Sequence, residues 1–408
     1  MTVISLEYGT TGRWECDLPS ERILYSHAGP GPVDRPIDAI RESLRHPLEF
    51  PALYQALVPD DHIVVVLDRA VPSAAEIICG VWSSVMEAGI DPNHVLILQP
   101  ASLTDAPPPD PRRLLPASIR TQVSWQIHDP TAADSIGYLA SSAAGERIYL
   151  SRHVLDADFV LPIGRFGFDP MLGRRELTSS FYPGLCGPDA FSKSLGQGHS
   201  ELGPDDERPL RQLVNEVTWL LGIQFAIQVM PSCGHHGLAA IASGATDQVT
   251  QRGKALLDEH WRVSLDQRGE TAVVAIPGMG EATSWNDLGA ALAAAQKLVV
   301  HGGRIIVLSD LSAAPGPGID LLRSARSPKS ALLPLRKAAP PDLLAASQIA
   351  SAAEWASIYL LSGLDGQIVE ESFMTPLEHE REASRLLETC DGCVVLPGAQ
   401  YIYSEIKE

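Results

Sequence analysis

The sequence is poor in basic residues, with 31 Lys and Arg against 50 Asp and Glu and a formal net charge of -19. An acidic surface repels phosphate backbones and anionic lipid headgroups, so we expect neither a nucleic acid nor a membrane as a partner. No uninterrupted apolar run approaches the roughly 18 residues of a membrane-spanning helix. Residues 1–7 show no basic segment followed by an apolar stretch, so no secretory signal is predicted.

Cysteine is also scarce, and its spacing excludes a disulfide-stapled secreted domain. The six cysteines are scattered over 408 residues rather than set at framework spacing. We therefore expect reduced thiols and a cytoplasmic protein. The sequence contains no Gly-x-x-x-x-Gly-Lys-Ser/Thr, Gly-x-Ser-x-Gly or His-Glu-x-x-His motif. Nucleotide hydrolysis, serine-esterase and zinc-protease functions therefore lack support.

What the sequence does contain is a series of short apolar runs rich in β-branched residues. These runs do not alternate with polar residues, which is typical of parallel strands covered by helices on both faces. Helical patterns lie between them, at residues 72–87, 289–299 and 343–355. Alternating strands and helices predict an α/β fold with largely parallel sheets. The predicted strands are residues 63–67, 95–98, 159–163, 272–276, 305–308, 358–361 and 394–396.

Two proline-rich segments interrupt this alternation of predicted strands and helices. Residues 106–116 cannot form a regular helix or a central strand, because proline fixes φ and removes a backbone donor. For residues 313–340 we expect a surface excursion around a short helix. A helical stretch at 247–261, followed by a polar loop, marks the best domain boundary. We therefore predict an N-terminal α/β domain, 1–265, a C-terminal α/β domain, 266–408, and a ligand cleft between them.

Several short motifs occur in a characteristic order over most of the chain. They are Leu-Glu-Tyr-Gly at 6–9, Asp-Arg-Ala-Val-Pro-Ser at 68–73, His-Asp at 128–129, Ser-Arg-His-Val-Leu-Asp-Ala-Asp at 151–158 and Tyr-Pro-Gly at 182–184. In this order and spacing the chain resembles the nickel-pincer lactate racemase family. The resemblance implies a fold of two α/β domains and an isomerase activity, the racemisation or epimerisation of small 2-hydroxy acids.

The resemblance also implies a cofactor and a set of site residues. Members of the family carry nickel in a pyridinium-derived pincer ligand that is bonded to a lysine and supported by histidines. The cofactor takes a hydride from the α-carbon of the substrate, and histidines on opposite sides move the hydroxyl proton.

The chain departs from the family where that chemistry resides. Counting without gaps from Gly164 places Asp169 at a catalytic histidine, Ser179 at the anchoring lysine and Leu195 at a nickel-supporting histidine. An aspartate normally has a pKa near 4. A serine hydroxyl cannot replace an amine as the attachment point without different covalent chemistry, and a leucine cannot ligate a metal.

Positions that hold anions in the family differ as well. The family's Gly-Thr-His-Arg loop corresponds to residues 99–102, which contain neither His nor Arg, and its phosphate-binding arginine corresponds to Val71. A family Tyr-Gln-x-x-Lys corresponds to residues 286–290, where no cation remains to hold a substrate carboxylate. We therefore expect that the chain keeps the fold but does not use the pincer cofactor as the family does, and we assign no metal ligands among the candidate site residues.

The residues left to carry chemistry lie where predicted strands end. In open α/β sheets ligands bind beyond the carboxyl ends of the strands, and arginines hold carboxylates or phosphates through paired hydrogen bonds. Each candidate has a structural alternative, such as a salt-bridged helix face for the arginines or a helix cap for Asp68 and Asp129. The candidate catalytic residues are Asp68, His128 and Asp169, and the candidate substrate-binding residues are Arg165, Arg174, Arg175 and Ser179.

Four weaker patterns keep both a functional and a structural interpretation. His199 lies close enough to Leu195 for a short gap to bring it into the cleft. Cys390-Asp-Gly-Cys393 has redox or zinc spacing but contains a turn dipeptide. His235-His236 between glycines is either a metal ligand pair or a polar turn. The glycines of residues 277–281 follow a strand, as in a cofactor loop, but lack a third glycine at fingerprint spacing.

Two functions from different classes follow from these observations. The first is an isomerase-family protein that acts on a small hydroxy acid or related anion with altered chemistry. The second is a non-catalytic homologue that binds a small anionic ligand or a protein partner in the cleft. Catalysis requires Asp169, His128 and an arginine together in one cleft, whereas binding requires only arginines and an apolar wall.

Overall fold

The structure of the chain, a computed structural model, describes residues 1–69, 71–101, 108–175, 177–235, 237–278 and 283–407. Its strands are β1 Thr2–Tyr8, β2 Gly12–Leu18, β3 Ile23–Ser26, β4 Ile63–Leu67, β5 Val95–Gln99, β6 Ser124–Ile127, β7 Ile136–Ser141, β8 Arg147–Ser151, β9 Phe159–Arg165, β10 Gly167–Asp169, β11 Gly173–Arg175, β12 Phe225–Pro231, β13 Leu238–Ala245, β14 Arg262–Leu265, β15 Gly269–Ala275, β16 Val299–Leu308, β17 Ser357–Leu361, β18 Thr375–Leu377, β19 Cys393–Pro397 and β20 Tyr403–Ile406.

The helices alternate with these strands. They are α1 Pro36–Arg45, α2 Leu53–Ala56, α3 Ala74–Glu87, α4 Ala117–Arg120, α5 Arg152–Leu155, α6 Pro188–Ser194, α7 Pro209–Leu221, α8 Thr246–His260, α9 Trp285–Leu298, α10 Pro317–Arg323, α11 Pro328–Ala338, α12 Leu343–Trp355, α13 Gly366–Glu371 and α14 Glu380–Leu387. In the part of the chain that the structure describes, no helix is both long and apolar enough to cross a membrane.

The first of two six-stranded sheets has the order β13-β12-β9-β4-β5-β6. Its strands are parallel except for the edge strand β13, which runs antiparallel to β12. All five residues of β4 are buried, because helices cover both faces of a parallel sheet and leave no polar side for the strand to show. The predicted α/β fold with largely parallel sheets is confirmed.

The second sheet has the order β18-β17-β16-β15-β19-β3 and is parallel throughout. All seven strands predicted from apolar runs are present, four in this sheet and three in the first. The helices predicted at 72–87, 289–299 and 343–355 correspond to α3, α9 and α12. A capping box between Ser284 and Asp287 marks the beginning of α9.

The start of the chain belongs to the second sheet. β3 pairs with β19, and the β1–β2 hairpin packs its apolar face on the same sheet through side chains such as Trp14. The predicted division into 1–265 and 266–408 stays a prediction. A cut after residue 265 separates β3 from its partner strand β19.

The expected surface excursion at 313–340 is wrong. This segment forms α10 and α11, which bury Ile319, Leu322 and Leu335 in the core of the second half. Pro317 and Pro328 begin these helices rather than break them, because a residue at the first helical position needs no backbone donor, and Pro334 lies inside α11. Residues 106 and 107 of the other proline-rich segment lie outside the described residues, and residues 108–116 form neither helix nor strand, as predicted.

Candidate functional site

The first sheet reverses its strand order between β4 and β9. From β4 the chain proceeds outward to β5 and β6, whereas β9 lies on the opposite side of β4. Ligands in open α/β sheets bind in the crevice that such a reversal leaves at the carboxyl ends of the strands. β9 ends at Arg165, and Asp68 follows the end of β4, so both residues stand at this crevice.

Asp68 is held there by a paired salt bridge. Its side chain is buried, and Arg175 donates hydrogen bonds of 2.8 and 2.7 Å to its two carboxylate oxygens. Burial alone would raise the pKa of Asp68, but the charges of Arg175 and Arg165 and the hydrogen bonds from Arg175 outweigh it and lower the pKa. Asp68 is therefore an ionised carboxylate at neutral pH.

Arg165 is a positively charged residue of the crevice that contacts the second half of the chain. Its guanidinium lies 5.1 Å from the ring centroid of Tyr401, and its buried Nε has no hydrogen-bond partner within the part of the chain that the structure describes. Burial lowers the pKa of Arg165 from its ordinary value near 12.5, while Tyr401 and Asp68 act in the opposite direction. The side chain remains cationic at neutral pH because that ordinary value is so high.

The second sheet has a reversal of its own, between β15 and β19. The backbone beyond these two strands carries Pro277 and Gln400, and Gln400 Nε2 donates a 3.1 Å hydrogen bond to the carbonyl oxygen of Pro277. Tyr401, which contacts Arg165, follows directly. Burial raises the pKa of Tyr401 to about 12. The two reversal points therefore face each other, and the Arg165–Tyr401 contact bridges them.

Beside this contact lies a cavity of about 500 Å³ lined by both halves of the chain. One wall comes from the β10–β11 hairpin and the loop at 197–204. The other comes from α9, α12 and the segment from Gln400 to Ser404. A cavity of this size, at the junction of two α/β units, is the default location for a small-molecule site.

Asp169 lines this cavity, but its carboxylate is engaged locally. Its Oδ1 accepts hydrogen bonds from the backbone N–H groups of Met171 and Leu172, at 2.7 and 3.1 Å. These bonds close the turn between β10 and β11, as aspartate often does in tight turns. Its assignment as a catalytic group stays a prediction.

His128 stands at the outer edge of the first sheet. It follows β6, and its Nε2 lies 3.0 Å from the carbonyl oxygen of Cys186. Burial lowers the pKa of His128, partly offset by that hydrogen bond, so the imidazole is neutral at pH 7. Strand β5 lies between β6 and β4, which separates His128 from Asp68 by two strand spacings, about 10 Å. The next residue, Asp129, closes a turn by accepting from Thr131.

Arg174 differs from the other two candidate arginines. It is buried, donates to Asp205 through Nε and one terminal nitrogen, and reaches Asp258 with the same nitrogen. Burial lowers the pKa of its guanidinium, but the two carboxylates outweigh burial and raise it. Arg165 and Arg175 thus lie together with Asp68, whereas Arg174 already holds two carboxylates of the chain itself.

The weaker motifs have structural partners. The backbone N–H of His235 donates to Glu7, and its Nδ1 lies 2.9 Å from the carbonyl oxygen of Gly9, so the turn docks on β1. His199 lines the cavity beside Glu201. Cys390 and Cys393 are both buried and reduced, and a hydrogen bond between them lowers the pKa of Cys390 to about 6. His236 and residues 279–281 of the glycine stretch lie outside the described residues.

The comparisons with known proteins agree with this geometry. The family model for the lactate racemase N-terminal domain matches residues 8–194. The lactate racemase apoprotein from Thermoanaerobacterium thermosaccharolyticum has a TM-score of 0.76 at 15% identity, with 100% of both chains covered. A protein from Thermotoga maritima has a TM-score of 0.68 at 13% identity, covering 93% of this chain and 100% of that one. No curated protein matches the sequence.

Residues 8–194 therefore form a lactate racemase N-terminal domain, and the whole chain shares the fold of the lactate racemase apoprotein.

This lactate-racemase-like chain does not offer the residues that the family's nickel-pincer group needs. Ser179, the residue counted against the family's anchoring lysine, lies in the short 3-10 helix Leu177–Ser180, which packs against β9, and it carries a hydroxyl rather than an amine. Leu195 caps α6 and has no donor atom. Among the described residues no group of three or more His, Cys, Asp or Glu is placed to hold a metal ion. The donor set does not fit the group.

Sequence reasoning missed one cavity residue, Lys297. It lies on α9 seven positions after Ala290, the residue counted against the family's substrate-binding lysine, and both line the cavity. Seven positions are two helical turns, so the two residues share a face of α9. The seven-residue spacing between Ala290 and Lys297 was visible in the sequence. A residue-by-residue comparison with the family examines Ala290 alone and not the rest of this face of α9.

Proposed function

We propose that this lactate-racemase-like chain binds a small carboxylate of the 2-hydroxy acid class in the cavity between its two sheets, without the nickel-pincer group. The observation that carries the proposal is a set of unpaired polar atoms in the residues of the cavity wall. Gln400 Oε1, Ser347 Oγ and Arg208 Nε are all buried and have no hydrogen-bond partner among the described residues. Buried polar groups are nearly always paired, so unpaired atoms in residues of a cavity wall favour a ligand that supplies the partners.

Gln400 suits the hydroxyl group of such a ligand. Its Nε2 already donates to Pro277, which leaves Oε1 to accept a hydrogen bond. A 2-hydroxy acid offers one hydroxyl donor beside an anionic carboxylate. The adjacent Arg165–Tyr401 contact adds positive charge to this end of the cavity, which favours an anion.

The alternative, racemisation by altered chemistry, needs an acid and a base on opposite sides of the ligand. The carboxylate of Asp169 closes its own turn and the ring of His128 is tied to Cys186. These contacts support binding as the first proposal. Conversion of one lactate enantiomer into the other by the purified protein would support the alternative instead.

The binding proposal is tested by titrating lactate, malate and phenyllactate into the protein in a calorimeter. Gln400→Leu removes the acceptor and should weaken the best ligand about fivefold, the value of one hydrogen bond. Gln296→Leu is the matched control, because Gln296 lines the same cavity but already exchanges hydrogen bonds with Ser351. It should leave affinity within about twofold.

Two results would overturn the proposal. One is that none of the three acids binds the folded wild-type chain at millimolar concentration. The other is an equal loss of affinity in both glutamine variants, which would show that the unpaired acceptor has no special part in binding.

The cofactor part of the proposal has its own measurement. Protein produced beside the enzymes that make the pincer group should carry neither stoichiometric nickel nor added mass. One equivalent of nickel per chain with a matching mass increase would show that another side chain replaces the lysine. We also propose a cytoplasmic location, which all six cysteines being free supports.

A further inference from the structure

The chain contains few lysines, and one differs from the rest in its surroundings. The lysines are Lys193, Lys254, Lys297, Lys329, Lys337 and Lys407. All are described by the structure, and all are exposed except Lys297. A lysine is rarely placed below the surface without a partner for its charge, because removing an ammonium group from water costs free energy.

Lys297 reaches the cavity from a helix face made of small side chains. Ala290, Ala293, Ala294 and Lys297 follow one another at intervals of three, one and three residues along α9, and all four line the cavity. This spacing places them on one side of the helix. The alanines leave room in front of the helix, and Lys297 is the single charged residue of α9 that lines the cavity.

The amine of Lys297 has no ion pair or hydrogen bond in the described structure. Its Nζ lies 5.0 Å from the ring centroid of Tyr403. Glu405, whose charge acts on it, is held by paired hydrogen bonds from Arg262 and a further one from Ser264. Burial lowers the pKa of Lys297, and Glu405 offsets this only in part. The charge on this side chain is thus left without a close counterion.

Aromatic rings surround the same part of the cavity. Tyr403 packs on Phe168 with ring centroids 5.2 Å apart, and Trp355 lines the wall on the side of α12. A cavity of about 500 Å³ lies in the range of roughly 300–1,000 Å³ that accommodates drug-sized ligands. It exceeds the needs of a three-carbon acid and suits a carboxylate with an apolar body.

We propose that Lys297 is the anchor for the carboxylate of the ligand, and that the ligand is a 2-hydroxy acid with an aromatic or similarly large apolar side chain. The inference rests on the proposed function and deepens it, since it names the cation and the substrate class of the same cavity. The ammonium group supplies the counter-charge for the carboxylate, Tyr403 and Trp355 pack against the apolar body, and Gln400 receives the hydroxyl.

The test compares three probes by calorimetry: phenyllactate, lactate and 3-phenylpropane-1,2-diol, which keeps the ring and hydroxyl but lacks the carboxylate. Phenyllactate should bind the wild type at least tenfold more tightly than lactate. Lys297→Met should weaken phenyllactate at least tenfold and change the affinity for the diol less than twofold. Arg336→Met is the control, because Arg336 also lines the cavity but already donates to Gln197; it should change neither.

A second readout does not depend on a variant that folds. Acetylation of wild-type lysines, followed by peptide mass spectrometry, should show protection of Lys297 by phenyllactate and no protection of the five exposed lysines. The diol should not protect. Lys297→Arg, which keeps the charge, should retain most of the affinity for phenyllactate.

The outcomes separate this inference from the proposal on which it rests. If the wild type binds none of the probes and no other hydroxy acid, the proposed function fails. If phenyllactate binds equally to wild type and Lys297→Met, or leaves Lys297 open to acetylation, the function stands and the anchor is wrong. If lactate binds as tightly as phenyllactate, the substrate class is wrong.

Discussion

At the level of single residues, Asp68 and His27 are both buried, but only Asp68 keeps its charge. Asp68 is kept charged because Arg175 grips both of its oxygens. His27 lies against Tyr25 and Trp261, and burial lowers its pKa to about 4. A charge is therefore required at Asp68 and excluded at His27, and a substitution tests each of these statements.

Replacing Asp68 with Asn should lower the free energy of unfolding by about 3 kcal/mol, because the change leaves Arg175 without its carboxylate in a mostly buried place. Urea unfolding at pH 7 measures this. Asp266→Asn is the control, since Asp266 pairs with Lys407 while its side chain is 85% exposed, and should cost less than about 1 kcal/mol. Equal stability of Asp68→Asn and wild type would contradict the assigned salt bridge.

His27 predicts a pH dependence of stability. The imidazole titrates near 6.5 in the unfolded chain and at about 4 in the folded one, so between these values the unfolded state binds the extra proton. Stability should therefore fall by up to about 3 kcal/mol as the pH drops from 6.5 to 4. Unfolding of His27→Gln should depend less steeply on pH across this window.

His46→Gln provides the comparison, because the His46 side chain is 76% exposed. Its unfolding curve should follow the wild type at every pH. If His27→Gln also follows the wild type, the fall in stability arises from other groups.

The candidate site shows how residue positions and residue roles differ in predictability. The positions of Asp68 and Arg165 at strand ends could be predicted from the sequence, because the apolar run before each residue shows where the strand ends. The turn bonds of Asp169 and the two acids that hold Arg174 could not, since Asp205 and Asp258 reach it only through the tertiary fold. Lys297 was missed for a different reason, because a comparison position by position examines Ala290 alone and not the residue two turns later on the same face of α9.

At the level of secondary structure, α8 packs against the first sheet through a glycine. A Cβ on Gly253 would overlap the ring of Phe166, which is fully buried. Alanine is a better helix former than glycine by roughly 1 kcal/mol, but here the loss of space should outweigh that gain. The close approach of helix and ring thus depends on the absence of a side chain.

Gly253→Ala should therefore destabilise the protein by about 1–3 kcal/mol, the usual cost of overpacking a core. Thermal unfolding measures the change. Arg252→Ala, at an exposed neighbouring position of α8, should alter stability by less than about 0.5 kcal/mol. An increase in stability for Gly253→Ala would mean that the ring moves aside at little cost.

Strands could be predicted where the local composition is consistent with a buried strand alone, as in the five apolar residues of β4. Helices α10 and α11 were not, because Pro317 and Pro328 are equally consistent with a loop and with a first helical turn. What decided between them was the burial of Ile319 and Leu335 against the second sheet, and burial is a property of the whole chain.

At the level of the whole molecule, the second sheet is built from both ends of the sequence. β3 extends this sheet beyond β19, and the β1–β2 hairpin covers it with Trp14. The segment 1–26 therefore belongs to the core of the second half in space, although it precedes the first half in sequence.

A fragment of residues 266–408 should consequently lack a cooperative unfolding transition, because its sheet ends at β19 and its apolar face is uncovered. Fusing residues 1–26 to residues 266–408 through a flexible linker should restore the transition. Circular dichroism with urea measures both. Cooperative unfolding of 266–408 alone would show that the N-terminal strands are dispensable for this half.

The pairing of Ile23 with Cys393 also sets an order of events during synthesis. Contacts between residues this distant in sequence are slow to form, and on the ribosome β3 must wait until nearly the whole chain has been made. Until then its backbone edge and the apolar face of β1–β2 remain available to other chains. We expect the nascent protein to be most prone to aggregation, and most dependent on chaperones, in this interval.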